Sequence, residues 1–264
     1  MLEIATIVQD PTAWTAATGY AVTLAAATSG SLTAIHAPPA PLPGAPLEAA
    51  HAVSRGITAA GRKVFCERAA RRGAEPATWL AVDGYMPDIL LHACSWVDLV
   101  VLARDPLAAW GSPTQVGQLV LASGGACVVV PPDWREGASP ACVMIGWNGS
   151  PEAIRATRAA LPLLRRAGKV VVLSGTRRSH YMANWDPPFD LSIYLARHGI
   201  AHEVVDWPAR DEREGDSLLA IAHELGADLL VMGAYGRTRF SEWMFGGATR
   251  EVLHEAPMPV LMQR

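Results

Sequence analysis

Short apolar runs alternate with longer amphipathic stretches along the whole chain. In the second half the runs are "ACVMIGW" (141–147), "KVVVLSG" (169–175), "AHEVVDW" (201–207), "ADLLVMG" (227–233) and "MPVLMQ" (258–263). A half-exposed strand alternates apolar and polar residues. Near-continuous Val, Ile and Leu instead predicts strands covered on both faces, parallel and joined by crossover helices. One such helix is written into "NGSPEAIRATRAALPLLRRAGK". Ser150 is placed to cap it, Pro151 suits its first position, and Gly168 follows its end beside Arg165, Arg166 and Lys169. Pro162 is expected to kink this helix or end it early, because it removes a donor and crowds the preceding turn.

The first half repeats the plan in "EIATIV" (3–8), "SLTAIHA" (31–37), "EPATWLAV" (75–82), "VDLVVLA" (97–103) and "ACVVVPP" (126–132). The closing pieces correspond: "WVDLVVLARD" matches "GADLLVMGAY", and "GGACVVVPP" matches "EAPMPVLMQ". Between the halves "PPDWREGASP" (131–140) has the composition of a linker. The expected fold is α/β: two doubly wound five-stranded parallel-sheet domains with strand order 3-2-1-4-5, spanning 1–134 and 141–264, in a pseudo-dimeric tandem.

Composition narrows the function. The chain has 264 residues, half of them apolar, and a net charge of −3. That suits large cores and supplies no basic stripe for a nucleic-acid backbone. The start "MLEIATIVQDPTAW" has no basic leader region, and no apolar stretch approaches the roughly 18 residues of a membrane span. A soluble, cytoplasmic protein without membrane or nucleic-acid partners is expected. The four cysteines form no CxxC pair and read as free thiols. His198 and His202 straddle a helix end and the next strand, so they do not share a face for metal.

The candidate chemistry lies in "VMGAYGRTRFSEWMFGGATREVL" (231–253). In a doubly wound sheet ligands sit beyond the carboxyl ends of the strands where the order reverses, here between the first and fourth strands of each half. In the second half these end in "WNGS" and "GAYG". Gly233 and Gly236 permit positive φ or a close backbone approach. Gly246 and Gly247 open a helix whose first N–H groups suit an anion, with Thr249 to add a hydroxyl and Arg237 and Arg239 to add charge. On these residues alone, a phosphate loop and a plain strand-to-helix turn both stand.

The order Gly233-x2-Gly236-x9-Gly246, followed by Gly-Ala-Thr-Arg and a terminal strand ending "PVLMQR", resembles the universal stress protein family. "WNGSPEA" looks like that family's first-strand turn. The resemblance implies ATP or a related adenine nucleotide, with or without Mg²⁺, in the C-terminal half. Carried over, adenosine contacts fall on Gly146, Trp147 and Asn148, with backbone help near Val172. Phosphate contacts fall on Gly233, Tyr235, Gly236, Gly246, Gly247, Ala248 and Thr249, with Met232 beneath the loop. Asn148 stands where the pattern usually has Asp, and Gly247 where it has Ser or Thr.

The first half departs further. Ala103 and Pro106 occupy the glycine positions, and only Leu107 to Trp110 separate Pro106 from Gly111. Asp10 matches the adenosine-side acid. This half is expected to be a structural partner with a degenerate loop. The resemblance further implies pairing through the last strands, here made within one chain, which leaves room for a homodimer of whole chains.

No GxxxxGK[ST], GxSxG or HExxH occurs, and no catalytic residue is assigned. The expected role is in stress response or regulation, with ATP hydrolysis slow at most. The alternative is a nucleotide-free protein-interaction module. The polar segment 177–190 reads as a solvated loop or a lid over the adenosine side.

Overall fold

The computed structural model describes residues 1–37, 47–135, 140–175, 190–207, 213–235 and 247–264. The N-terminal half contributes β1 (Glu3–Ile7), α1 (Ala16–Thr28), β2 (Ser31–His36), α2 (Leu47–Arg71), β3 (Ala77–Ala81), α3 (Met86–Ala93), β4 (Leu99–Ala103), α4 (Pro113–Ser123) and β5 (Ala126–Val130). The C-terminal half contributes β6 (Cys142–Trp147), α5 (Pro151–Leu164), β7 (Lys169–Ser174), α6 (Leu191–Arg197), β8 (Glu203–Asp206), α7 (Glu214–Glu224), β9 (Leu229–Gly233), α8 (Gly247–Glu255) and β10 (Val260–Gln263). Each apolar run of the sequence holds one strand.

All ten strands form one sheet in the order β3-β2-β1-β4-β5-β10-β9-β6-β7-β8. Within each half the order is the expected 3-2-1-4-5 and every pairing is parallel. The halves meet at an antiparallel seam, where Val129, Val128 and Cys127 of β5 face Val260, Leu261 and Met262 of β10. All six side chains are buried. At about 1.5–3 kcal/mol for each large apolar side chain removed from water, the seam is a strong joint. It also covers two apolar strand edges that would otherwise invite aggregation.

Two cores follow from the crossovers, one on each face of the sheet. One gathers Ala21, Phe65, Ala160 and Leu195 from α1, α2, α5 and α6. The other gathers Leu90, Val116, Leu218 and Leu253 from α3, α4, α7 and α8. Each core therefore runs through both halves, and Trp134, between β5 and β6, packs against both. Because the seam is antiparallel, the strand carboxyl ends of the two halves emerge at opposite rims of the sheet.

Local signals explain the helix starts. Ser150 caps α5 by accepting the Ala153 N–H at 3.2 Å, with Pro151 in the first turn. Pro162 neither stops this helix nor shortens it there, for α5 continues to Leu164. It lies in the last turn, where its missing N–H costs a single bond.

Candidate functional site

β6 and β9 lie side by side, with Gly146 paired to Met232. Beyond β6 the chain turns at Asn148, whose Oδ1 accepts the Ser150 N–H at 3.0 Å. Gly149 sits at φ 71°, a conformation that favours glycine. Beyond β9, Gly233 stands against the first turn of α5. A side chain there would begin 2.6 Å from the Ala153 nitrogen and 2.8 Å from the Glu152 Cβ. The close approach that glycine permits is therefore to α5, and it joins the two walls of the crevice. Glu152 and Ala153 have no local sequence signal for this role, since their neighbour is some 80 positions away.

Tyr235 follows in the left-handed region at φ 55°, unusual for a residue with a side chain. Its N–H donates to the Thr249 hydroxyl at 3.3 Å, tying the end of β9 to α8. Thr249 is buried, whereas Gly247 is exposed and a side chain built on it would meet no described residue within 4 Å. Ala248 is half-buried between them. The opening turn of α8 thus presents backbone donors beside open space.

α8 is anchored on its other side by α7. Glu251 accepts the Gly215 N–H at 2.8 Å, capping α7 from outside. Arg213 bridges Asp216 at 2.7 Å and Glu251 at 3.7 Å. A methyl on Gly215 would overlap the Glu251 side chain, so α7 and α8 depend on glycine for their approach.

The remaining expected contacts are spread over two depths. Trp147, half-buried, packs its ring on one core, and Met232 is buried below the end of β9. Val172 lies inside β7, its side chain in the core and its neighbours Ile145 and Val204, so it is set back from the strand end. Gly236 and Gly246 lie outside the described residues, as do Arg237, Arg239 and the segment 177–189.

The corresponding place in the N-terminal half is closed upon itself. Trp110 N–H donates to Gln9 Oε1 at 3.1 Å, linking the loop after β4 to the end of β1. Asp105 N–H bonds the Gly111 carbonyl at 2.9 Å, and a methyl on Gly111 would overlap the Asp105 carbonyl. The start of α4 is occupied by its own capping box, in which Ser112 accepts from Gln115 N–H and Gln115 Oε1 accepts from Ser112 N–H. Asp10 is held below the usual carboxylate range, first by the Thr12 hydroxyl at 2.6 Å and then by the Thr12 N–H at 2.8 Å. The first backbone donors of α4 are thus consumed locally.

The family profile described as the universal stress protein family matches residues 142–264. The C-terminal half belongs to the universal stress protein family. Among curated proteins nothing matches the chain. Over both halves, the fold is similar to that of a universal stress protein from Archaeoglobus fulgidus DSM 4304, with a TM-score of 0.67 at 14% identity, covering 98% of this chain and 96% of the other. A putative universal stress protein from Pseudomonas aeruginosa UCBPP-PA14 gives 0.61 at 14%, covering 99% and 93%. A functionally unknown protein from Pseudomonas aeruginosa PAO1 gives 0.60 at 15%, covering 99% and 92%. At such identities the likeness is one of fold, and it extends to the half that the family profile does not match.

Within this universal stress protein domain, the observed geometry sharpens the two departures from the family pattern. Asn148 spends its carbonyl on the local turn, which leaves its amide N–H groups as the available donors. Gly247 leaves room for the hydroxyl it lacks. Among the described residues no group of three His, Cys, Asp or Glu could hold a metal, and no helix is long and apolar enough to cross a membrane.

Proposed function

We propose that the C-terminal half binds ATP or a related adenine nucleotide, and that the chain serves as a nucleotide-responsive stress or regulatory protein in the cytoplasm. Fold alone does not assign this role. The observation that carries the reading is the opening turn of α8, where no described residue lies within 4 Å of a side chain placed on Gly247, and which is tied to the end of β9 through Thr249. A helix start of this kind favours phosphate through its N–H groups and its dipole. Gly247 and Ala248 would offer backbone donors, Trp147 an apolar surface for the base, and Asn148 an amide for the ribose or base. Among the described residues of the site no nucleophile is paired with a base, and the reading carries at most slow hydrolysis.

A second reading, a nucleotide-free interaction module, is favoured by one specific feature. The Thr249 hydroxyl already accepts a bond from Tyr235, and Gly247 brings none of its own. Mass spectrometry of small molecules released from the denatured protein, with titration calorimetry of ATP and Mg²⁺ into the purified chain, separates the two. Co-purified adenine nucleotide or a saturable heat signal is the expected result. A folded protein giving neither would leave the interaction module standing.

A further inference from the structure

The end of β9 is shaped by the other half of the molecule. Tyr235 reaches out of the C-terminal half onto α4, where its hydroxyl occupies the place that a side chain on Gly117 would take. Gly117 is buried in the middle of α4, with Leu253 of α8 as the next neighbour, 3.3 Å from where its Cβ would lie. Burial pushes the Tyr235 phenol up to about 12, in keeping with a ring enclosed between helices.

A reciprocal contact runs the other way. Arg104, the residue after β4, donates to the carbonyls of Ala256 at 2.7 Å and Leu253 at 3.2 Å. It places a cation on the C-terminal end of α8, where carbonyls lack helical partners and the dipole is negative. α8 is thus held from the N-terminal half at its far end by Arg104. At its near end it is held through Thr249 and Tyr235, whose ring rests on α4. The first residue of the loop after β4 thus contacts the other half of the chain.

We propose that Gly117 and Arg104 of the N-terminal half are positioning residues for the C-terminal crevice, setting Tyr235 and the start of α8 in the arrangement that receives phosphate. The receiving role rests on the nucleotide reading above; the positioning does not. In this view the crevice is incomplete without the N-terminal half.

Gly117→Ala tests it, because the added methyl overlaps the Tyr235 hydroxyl, while the other tight neighbour, Leu253 Cδ1 at 3.3 Å, is the end of a flexible side chain. With the tyrosine hydroxyl removed, the closest remaining Tyr235 atom, Cζ, is 3.6 Å from the new methyl, an ordinary contact. Tyr235→Phe should therefore rescue Gly117→Ala. Alanine is also the better helix former, so α4 persists in the variant. The measurements are calorimetric affinity for MgATP and, without nucleotide, hydrogen exchange of peptides spanning 230–255 in the full chain. Gly117→Ala should weaken binding by about tenfold, the size of coupling between contacting residues. It should also speed exchange around Tyr235 and the first turn of α8. The double variant should return both to within about twofold of the parent.

Unchanged exchange in Gly117→Ala, or a loss that Tyr235→Phe does not relieve, would overturn the positioning role. If the parent binds no nucleotide while exchange responds and is rescued, the nucleotide reading falls and the positioning stands. Parent-like affinity in Gly117→Ala despite faster exchange would refute the link between this contact and the crevice.

Discussion

Gly247 is the residue at which the site is least finished. No described residue lies within 4 Å of where its side chain would start, and its backbone is not in the left-handed region. Gly247→Ser therefore has room and, in a helical first turn, no strain. A hydrogen bond to a charged group is worth about 1.5–3 kcal/mol, so Gly247→Ser should tighten ATP binding roughly tenfold or more in titration calorimetry. A serine that leaves affinity unchanged would mean that phosphate does not lie at this turn. Gly233 is different in kind. The side chain it lacks would fall on α5, so any substitution there reports on folding as well as on binding.

Residue burial also sets a pH response. Burial pushes the Cys94 thiol up to about 11 and that of Cys127 up to about 12. In the unfolded chain both thiols ionise near 9. Their neutral forms are favoured in the fold, so this stability is fully present below pH 9 and is lost as pH rises through the folded values. The phenols of Tyr20 and Tyr235 act in the same direction from a higher starting point. Urea midpoints should fall between pH 8 and pH 10.5, and Cys127→Ala should flatten that fall. A midpoint independent of pH over this interval would contradict the assignment.

At the scale of elements, the sequence was legible wherever the signal is local. Apolar runs located every strand, and "WNGSP" announced the cap and first turn of α5 because capping involves residues three apart. The doubly wound plan matches the observed strand order, and the pairing of β5 with β10 is the one the family resemblance implies. What escaped is what depends on distant partners. Pro162 read as a helix breaker because its tolerance depends on how soon α5 ends. Glu251 capping α7, Arg104 on the end of α8 and Tyr235 against Gly117 join residues 36, 149 or more, and 118 positions apart. No spacing rule connects such pairs. Val172, expected to help through its backbone, has its side chain in the core.

For the molecule as a whole, the antiparallel seam makes two domains into one sheet. Separating them would expose Val260, Leu261 and Met262 along an unpaired edge. Apolar edge strands seek partners. A fragment comprising residues 141–264 should therefore self-associate, with light scattering behind size exclusion giving about twice the fragment mass if β10 pairs with its own copy. A monodisperse monomer would show that the seam is not the sticky surface its burial suggests.

The opposed rims have a practical meaning. Leu107, 96% exposed, sits on the loop after β4, at the rim away from the end of β9. A dye or biotin attached there hangs from the back of the molecule. On a sensor chip, protein immobilised by that handle would turn the mouth beside Gly247 toward the flowing solution, so that attachment and ligand entry do not compete.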